Sequence, residues 1–184
     1  IENVKKDGLF ATYERVKSKL ESYKTLGYSA AGVVIESRCE EFSVGDRVAC
    51  AGAQFANHAE IISVPKNLTT KIPDNVSFAE AAYTTLGAIA LQGVRQADLR
   101  LGETVAVIGL GLLGQLTVQF LKASGCRVVG LDINESLFDM AKQYGCDATF
   151  PSSRDAAASI KAFTRGLGTD AVIITASTSS DEPI

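Results

Sequence analysis

The chain has 184 residues, of which 46% are apolar and 21% are charged, and these proportions are those of a globular protein and not of a disordered one. With 18 Lys and Arg against 21 Asp and Glu, the net charge is −3 and no basic run is present, so electrostatic binding to nucleic acid is not expected. The longest uninterrupted stretch of apolar residues and glycine, residues 105–114, is far shorter than the roughly 20 residues of a membrane-spanning helix, so no membrane span is predicted.

The cysteines and the single histidine limit the metal and redox chemistry of the chain. The cysteine spacing matches neither a zinc-binding CxxC pattern nor a dense disulfide framework, which favours free thiols in a reducing cytoplasm. His58 is the only histidine, so a His pair or a His-rich metal site is excluded. The four cysteines are Cys39, Cys50, Cys126 and Cys146.

The first predicted element is an amphipathic helix over residues 12–23, where apolar residues recur at spacings of three and four. Apolar runs bounded by glycine and proline then predict three short strands, over residues 31–35, 47–50 and 59–64. Short strands separated by glycine-rich turns are typical of a small β-barrel or sandwich, which we expect to be incomplete here. Residues 1–70 form this first predicted domain.

From Pro73 onwards, helical and strand patterns alternate. Ser77 and Glu80 form a capping-box pattern that predicts the start of an apolar helix running through residues 81–91. Asn134 is a predicted cap of a later helix. Further strands are predicted over residues 104–108, 127–131, 148–150 and 170–175, and helices over residues 112–123, 135–144 and 155–164. This order predicts an α/β domain over residues 71–184, with a doubly wound parallel sheet of the Rossmann type and helices on both faces. On the helix over residues 112–123, the sheet-facing positions are predicted to be Leu112, Leu116 and Phe120.

The most specific motif is Gly109-Leu-Gly111-Leu-Leu-Gly114, which stands between a predicted apolar strand and a predicted helix. A second strand follows and ends at an acid, Asp132, which lies about 20 residues after the glycines. A GxGxxG pattern alone is weak because glycine is common. In this context it predicts a dinucleotide-binding turn, and the alternative is a doubly wound fold with a glycine-rich turn and no ligand.

Each residue type in the motif has a physical reason. Gly109 allows the tight turn from strand to helix, Gly111 lets a pyrophosphate approach the backbone, and Gly114 lets the helix lie close to the sheet. Backbone N–H groups around Leu112 and Leu113 are expected to point at the phosphates from the positive end of the helix dipole. The predicted cofactor site also includes the acid and the two residues after it, namely Asp132, Ile133 and Asn134.

The arrangement resembles the medium-chain dehydrogenase/reductase superfamily, which contains zinc-type alcohol dehydrogenases and zinc-free quinone reductases. The resemblance implies a Rossmann domain preceded by part of a GroES-like β domain that contributes to catalysis. It also implies that Thr85 lies beside the nicotinamide ring, and that Thr175 and Ala176 flank the adenosine side of the cofactor. The matching segments are Gly27-Tyr-Ser-Ala-Ala-Gly32-Val-Val, Val44-Gly45-Asp46-Arg47-Val48, Ala81-Ala-Tyr-Thr-Thr-Leu-Gly-Ala, Gly109–Gly114 and Gly168-Thr-Asp170-Ala-Val.

Two segments resemble a subgroup, the bi-domain oxidoreductases in which such a region precedes a second Rossmann domain of the glucose-fructose oxidoreductase type. This likeness implies a sugar-type substrate. Members of the superfamily carry further chain before the Gly27 region and a further half Rossmann fold after Thr175, so we expect this chain to be an inactive fragment. The two segments are Gly8-Leu-Phe-Ala-Thr and Leu86-Gly-Ala-Ile-Ala-Leu-Gln-Gly-Val-Arg-Gln-Ala-Asp98.

The zinc ligands of the zinc-type relatives are missing. Those relatives have Gly-His-Glu where this chain has Gly27-Tyr28-Ser29, and a further cysteine ligand would fall near Thr84 or Thr85. Cys50 and His58 alone cannot provide a tetrahedral zinc site, so no zinc is expected.

The group that polarises the substrate carbonyl in place of zinc is therefore open. Tyr28 stands where relatives keep a metal ligand, and its phenol is one candidate donor, whereas the alternative is a packing aromatic. His58 is the second candidate because imidazole exchanges protons near neutral pH, whereas the alternative is a strand residue at a domain junction.

The predicted function is a zinc-independent, nicotinamide-dependent oxidoreductase that transfers hydride between NAD(H) and an alcohol or carbonyl. NAD is preferred over NADP because Asp132 would face the 2′-phosphate, and neither Ile133 nor Asn134 supplies a positive charge. Two alternatives remain open, an NADPH-dependent quinone or enone reductase and a non-catalytic nucleotide-sensing module. The expected partner is a small-molecule substrate in the cytoplasm, without nucleic acid or membrane, and a homo-oligomer is left open.

Overall fold

The computed structural model describes residues 25–178 together with residues 8, 10, 13, 14 and 17. The helix predicted over residues 12–23 lies largely outside the described residues. The chain divides into two compact units, Ile1–Ala82 and Tyr83–Ile184.

The first unit contains a three-stranded antiparallel sheet in the order β1-β2-β3. Its strands are β1 (Ser29–Val33), β2 (Arg47–Ala51) and β3 (Thr69–Lys71), with Ala31 opposite Ala49 and Ala49 opposite Thr70. One side of the sheet covers a small core of Val48, Cys50 and Ala56. The strand prediction over residues 47–50 is confirmed.

Two strand predictions in this unit are corrected. The strand predicted over residues 31–35 corresponds to β1, which lies two residues earlier. The pairing begins with Ser29 opposite Ala51 and ends with Val33 opposite Arg47. Beyond that pair, the segment before β2 turns at Gly45, whose φ is +95°. Residues 59–64 form no strand. Ile62 and Val64 do point into the core, as the alternation suggested, but no described strand lies beside them to complete a ladder.

The helix predicted over residues 81–91 is two helices, α1 (Phe78–Ala81) and α2 (Thr84–Gln96). The capping box is confirmed, since the Ser77 hydroxyl accepts from the N–H of Glu80 and the Glu80 carboxylate accepts from the N–H of Ser77. At the break, the carbonyl of Ala82 accepts the Ser29 hydroxyl at 2.6 Å, and Tyr83 takes φ −91° and ψ 1°, outside the helical region.

The second unit is built on a four-stranded parallel sheet in the order β6-β5-β4-β7. Its strands are β4 (Thr104–Ile108), β5 (Arg127–Asp132), β6 (Ala148–Pro151) and β7 (Ala171–Ile174). Its remaining helices are α3 (Leu112–Ala123), α4 (Phe138–Gln143), which follows a 3-10 turn at Glu135–Leu137, and α5 (Ala156–Phe163). Each agrees with its predicted counterpart to within a few residues, and the α/β Rossmann prediction is confirmed.

The core of the second unit lies between the central strands and α3. Val105, Val107 and Val128 from the strands are fully buried, as are Val118 and Leu121 from α3. The stripe predicted to face the sheet is therefore wrong in part. Leu112 is exposed because it stands in the first turn, beyond the end of β4, whereas Phe120 packs against this core and also reaches Gly87 on α2.

Candidate functional site

The turn after β4 has two glycines that the protein itself requires. Gly109 has φ +96°, and a Cβ there would lie 2.6 Å from the backbone nitrogen of Ala176. At Gly114, a Cβ would overlap the carbonyl oxygen of Gly109, so α3 can approach the turn only because this residue has no side chain. Both glycines are explained by contacts within the unit.

Gly111 differs from the other two glycines of the motif. Its φ is −66°, which any residue can adopt, and a Cβ built on it meets nothing within 4 Å. Neither backbone strain nor packing explains a glycine here. The bare backbone of Gly111 faces open space at the carboxyl edge of the sheet, where a ligand atom can approach it.

Helix α3 begins directly at this open space. Gly111 is its N-cap residue and has no side chain, so no side chain caps the first turn. The backbone N–H groups of Leu112 and Leu113 belong to that turn, where helical N–H groups lack intrahelical acceptors. Together with the helix dipole they favour a negatively charged group at this point.

Asp132, at the end of β5, holds the turn from the side of the neighbouring strand. Its Oδ2 accepts from the N–H of Leu110 at 2.6 Å, and its Oδ1 accepts from the N–H of Asn134 at 2.8 Å. Each carboxylate oxygen keeps a further lone pair for an additional donor. Beside it, Ile133 is 87% exposed, although it is a large apolar residue. Asn134 caps the following 3-10 turn by accepting from Ser136.

Thr175 and Ala176 follow β7 and lie against the same turn. The Thr175 hydroxyl is 2.6 Å from the carbonyl oxygen of Gly109 and 3.2 Å from that of Ile108. Its position is therefore fixed by the turn itself. Ala176 is exposed, and its backbone packs so closely against Gly109 that it leaves no room for a Cβ there.

The structure thus brings together ten of the eleven predicted cofactor residues at the carboxyl edge of the sheet. The eleventh, Thr85, lies half-buried in the first turn of α2, and α2 contacts α3 through Gly87 and Phe120. The ten are Gly109, Gly111, Leu112, Leu113, Gly114, Asp132, Ile133, Asn134, Thr175 and Ala176.

Sequence reasoning missed Gln115, a buried residue of α3. Its Nε2 donates to the carbonyl oxygen of Leu110 at 2.9 Å, so it contacts the turn from the helix side. The signal available in the sequence is an uncharged polar residue directly after the last glycine of the motif, at a position where the helix must face the sheet.

In the first unit, the structure places Tyr28 and His58 in one corner. The ring of His58 packs on Gly27, where a Cβ would overlap it, and the N–H of His58 donates to the carbonyl of Leu26 at 2.8 Å. Tyr28 follows directly, is 43% exposed, and accepts from the N–H of Gly52 through its backbone carbonyl. Ser29 is engaged elsewhere by its bond to Ala82.

Metal ligands are not clustered in the part of the chain that the structure describes. No three His, Cys, Asp or Glu side chains there lie close enough together to hold a metal ion. Tyr28 and Ser29, the positions at which the resemblance predicts zinc ligands, also offer a poor donor set for zinc. Nor does any described helix have the length and apolar character needed to cross a membrane.

Comparison with protein families gives a match in the second half of the chain. The model of a zinc-binding dehydrogenase family matches residues 113–181, which lie within the second unit. The matched segment begins inside the glycine motif and extends beyond β7.

Two curated relatives match most of this chain. D-guloside 3-dehydrogenase of Escherichia coli (strain K12) is 33% identical over 154 residues, which are 82% of this chain and 44% of the relative. An alcohol dehydrogenase of Geobacillus stearothermophilus is 35% identical over 162 residues, which are 81% of this chain and 44% of that enzyme. The chain therefore spans less than half the length of the curated relatives it matches.

Among solved structures, the quinone oxidoreductase of Thermus thermophilus, whose structure is also known in complex with NADPH, matches with a TM-score of 0.68 and 26% identity. The match covers 85% of this chain and 48% of that protein.

Proposed function

The chain belongs to the medium-chain dehydrogenase/reductase superfamily, and on that premise we propose that the protein is a nicotinamide-dependent oxidoreductase whose cofactor binds at the turn after β4. The observation that carries the proposal is Gly111. The other two motif glycines are explained by contacts inside the unit, whereas Gly111 leaves its backbone open to a ligand at the first turn of α3, beside Asp132.

The chemistry of the residues around Gly111 fits a dinucleotide. The uncapped first turn of α3 offers N–H groups to a pyrophosphate, and the carboxylate of Asp132 has lone pairs left for ribose hydroxyls. The exposed side chain of Ile133 provides an apolar surface for an adenine ring. The cofactor supplies a hydride at the nicotinamide ring, and the protein supplies binding, orientation and electrostatics.

The test of this proposal compares two glycine-to-alanine substitutions. Gly111→Ala puts a methyl group into the open approach, and we expect the affinity for NADH to fall about tenfold or more, equivalent to roughly 1.4 kcal/mol. Gly32→Ala in β1 is the matched control, because a Cβ there also meets nothing within 4 Å and no positive φ is required. The melting temperatures of both variants are expected to be close to that of the unsubstituted full-length protein. NADH binding that survives Gly111→Ala unchanged would contradict the proposal.

We further propose that NAD(H) is preferred over NADP(H). A 2′-phosphate would lie close to the carboxylate of Asp132, and two like unit charges about 4 Å apart repel by roughly 4 kcal/mol at an effective dielectric of about 20, before solvent screening. Ile133 and Asn134 bring no positive charge to offset this repulsion. We expect at least about a tenfold preference for NADH.

Ile133→Arg tests this preference without touching the hydrogen bonds of Asp132. Because the side chain of Ile133 is exposed, the substitution costs little packing, and the guanidinium can pair with a 2′-phosphate. NADPH affinity is expected to rise about tenfold while NADH affinity stays the same, and Ile133→Gln serves as the uncharged control. Equal affinity of the unsubstituted protein for both cofactors would overturn the preference.

The proposed substrate is an alcohol or carbonyl compound of the sugar type. Support comes from the resemblance to the bi-domain oxidoreductases and from the similarity to a protein named D-guloside 3-dehydrogenase. We propose that the reaction needs no zinc and takes place in the cytoplasm, where the four cysteines remain thiols. A homo-oligomer is compatible with this function.

Tyr28 and His58 are the candidates for the group that donates a proton to the substrate oxygen. The two residues lie near each other, since the imidazole of His58 packs on Gly27, the residue before Tyr28. If one of them is the acid, Tyr28→Phe or His58→Gln lowers kcat about 100-fold and leaves the NADH affinity unchanged. Full kcat in both variants would remove both candidates.

An NADPH-dependent quinone or enone reductase is the second candidate function. The similarity to the quinone oxidoreductase of Thermus thermophilus favours it. Turnover of quinones with NADPH, and none of sugar alcohols with NAD, would establish this alternative. The third candidate, a nucleotide-sensing module, predicts cofactor binding without turnover of either substrate class.

A further inference from the structure

Gln115 is a buried residue of α3 that directly follows the glycine turn and contacts it. It is 6% exposed, and it stands on the side of α3 that faces the sheet, next to Gly114. A buried amide needs hydrogen-bond partners, because an unpaired polar group in the interior costs stability. The contacts of its two polar atoms therefore show what the side chain does.

The amide nitrogen of Gln115 has a partner in the turn. Nε2 donates to the carbonyl oxygen of Leu110 at 2.9 Å. This carbonyl belongs to the peptide group that joins Leu110 to Gly111. The bond therefore fixes the orientation of that peptide group relative to α3.

Fixing this carbonyl also fixes the N–H of Gly111. The peptide bonds of the described residues are trans, so the carbonyl of Leu110 and the N–H of Gly111 point in opposite directions. With the carbonyl held toward Gln115, the N–H points away from Gln115. The structure gives this N–H no acceptor within residues 25–178.

The preceding peptide group is held at both of its ends. The carbonyl of Gly109 accepts the Thr175 hydroxyl at 2.6 Å, and the N–H of Leu110 donates to Asp132 at 2.6 Å. Thr175, Asp132 and Gln115 thus hold two consecutive peptide groups, and the N–H of Gly111 is the one remaining polar end of this pair.

The amide oxygen of Gln115 shows that packing alone does not explain a glutamine at this position. Oε1 of Gln115 is buried and has no hydrogen-bond partner among the described residues. A methionine of similar length would avoid that penalty, so packing does not explain the glutamine. The contribution of the side chain lies in the donor Nε2.

We propose that Gln115 is a positioning residue that turns the N–H of Gly111 toward the pyrophosphate of the bound dinucleotide by holding the carbonyl of Leu110. The inference rests on the proposed function, because it needs a pyrophosphate at the turn. Gln115 touches neither phosphate nor reacting atoms and acts through the peptide group. Pre-orienting a donor in this way increases affinity because the ordering cost does not fall on the binding step.

The test uses two ligands that differ in the pyrophosphate. ADP-ribose contains the pyrophosphate and adenosine does not, so a positioning role affects only the first, whereas general damage to the fold affects both. Gln115→Met removes the donor and keeps the length of the side chain. Gln119→Met is the matched control, since Gln119 lies one turn further along α3 and its Nε2 donates to the backbone of Gln115 and not to the turn.

In the full-length protein, we expect Gln115→Met to weaken ADP-ribose binding about tenfold and to leave adenosine binding unchanged, measured by calorimetry, while Gln119→Met changes neither. Unchanged ADP-ribose affinity in Gln115→Met, or an equal loss for both ligands, overturns the inference. Absence of NADH and ADP-ribose binding in the unsubstituted protein overturns the proposed function itself, and the inference with it.

A second measurement needs no variant and therefore does not depend on how Gln115→Met folds. In protein labelled with ¹⁵N-glycine, the amide resonance of Gly111 is expected to shift on addition of ADP-ribose and to stay in place with adenosine. If ADP-ribose binds and the chemical shift of the Gly111 amide does not change, the inference is overturned.

Discussion

Thr175, which the resemblance places near the cofactor, makes its hydrogen bonds within the protein itself. Its hydroxyl lies within hydrogen-bond distance of two carbonyl oxygens of the turn, those of Ile108 and Gly109. The carbonyl of Gly109 is also the atom that α3 approaches at Gly114. The hydroxyl therefore holds the tightest point of the turn, and a change there is expected to reduce stability before it reduces binding.

We predict that Thr175→Val destabilises the protein by about 1 to 3 kcal/mol, because the carbonyl of Gly109 loses its donor while the shape of the side chain stays the same. Thr149→Val is the matched control, since the hydroxyl of Thr149 is buried without a partner among the described residues. There the substitution removes an unpaired polar group, so stability is expected to stay or to rise. Urea unfolding of both variants measures the two effects, and equal destabilisation would argue against the role assigned to Thr175.

At the scale of elements, the sequence predicts best where a strand and its partner are both apolar. β4 and β5 were recognisable because their side chains are buried on both faces. β3 was missed because Thr69–Lys71 is short and polar and lies at a sheet edge. Residues 59–64 alternate like a strand, yet pairing depends on a neighbour that the alternation does not reveal.

In the candidate site too, some residues can be recognised from a local sequence pattern and others only from a contact in the folded chain. The three glycines and Asp132 follow a spacing that can be recognised along the chain. The role of Gln115 depends on which carbonyl its amide reaches, and that contact exists only once the turn has formed. Ser29 is a similar case, because its hydroxyl donates to the carbonyl of Ala82, the C-cap residue of α1, 53 residues away in the chain. Such contacts are set by tertiary structure and leave no local pattern.

The capping box of α1 gives a pH-dependent prediction. Hydrogen bonds from the hydroxyl and the backbone N–H of Ser77 lower the pKa of Glu80 below its ordinary value of 4.5. A lowered pKa in the folded state means that the carboxylate stabilises the fold above pH 4.5, and that this contribution is lost as the pH falls through the lowered pKa.

We therefore expect Glu80→Gln to be less stable than the unsubstituted protein at neutral pH, with the difference shrinking below the ordinary pKa of glutamate. The urea midpoint measured across this pH range reports the effect. Glu60→Gln, at an exposed glutamate of the same unit, is the control and is expected to show a smaller dependence. A stability difference for Glu80→Gln that grows toward acid pH would contradict the assigned direction.

At the scale of the whole molecule, the name of the matching family and the residues of this chain point to different metal contents. The family is described as zinc-binding, but the matched residues 113–181 lie in the second unit, and no ligand cluster occurs among the described residues of either unit. We predict well under one zinc per chain in full-length protein purified without added zinc, measured by elemental analysis. A stoichiometric zinc that resists chelators would show that ligands outside the described residues build a site.

The four cysteines give the last prediction, because their surroundings differ across the molecule. Cys50, Cys126 and Cys146 are buried, and burial raises the pKa of each of these thiols, to about 12 for Cys146. A thiol with that pKa is ionised in only about one molecule in ten thousand near pH 8, and the thiolate is the form that reacts. Cys39 is only half-buried, beside the hydroxyl of Ser37.

Iodoacetamide near pH 8 is therefore expected to modify Cys39 first and the three buried thiols at least about tenfold more slowly, as mass spectrometry of the digested protein will show. In denaturing urea the four rates should converge, because burial no longer separates the thiols. If Cys146 reacts as fast as Cys39 in the native protein, the packing of Cys146 and Leu110 against Gly130 does not hold in solution.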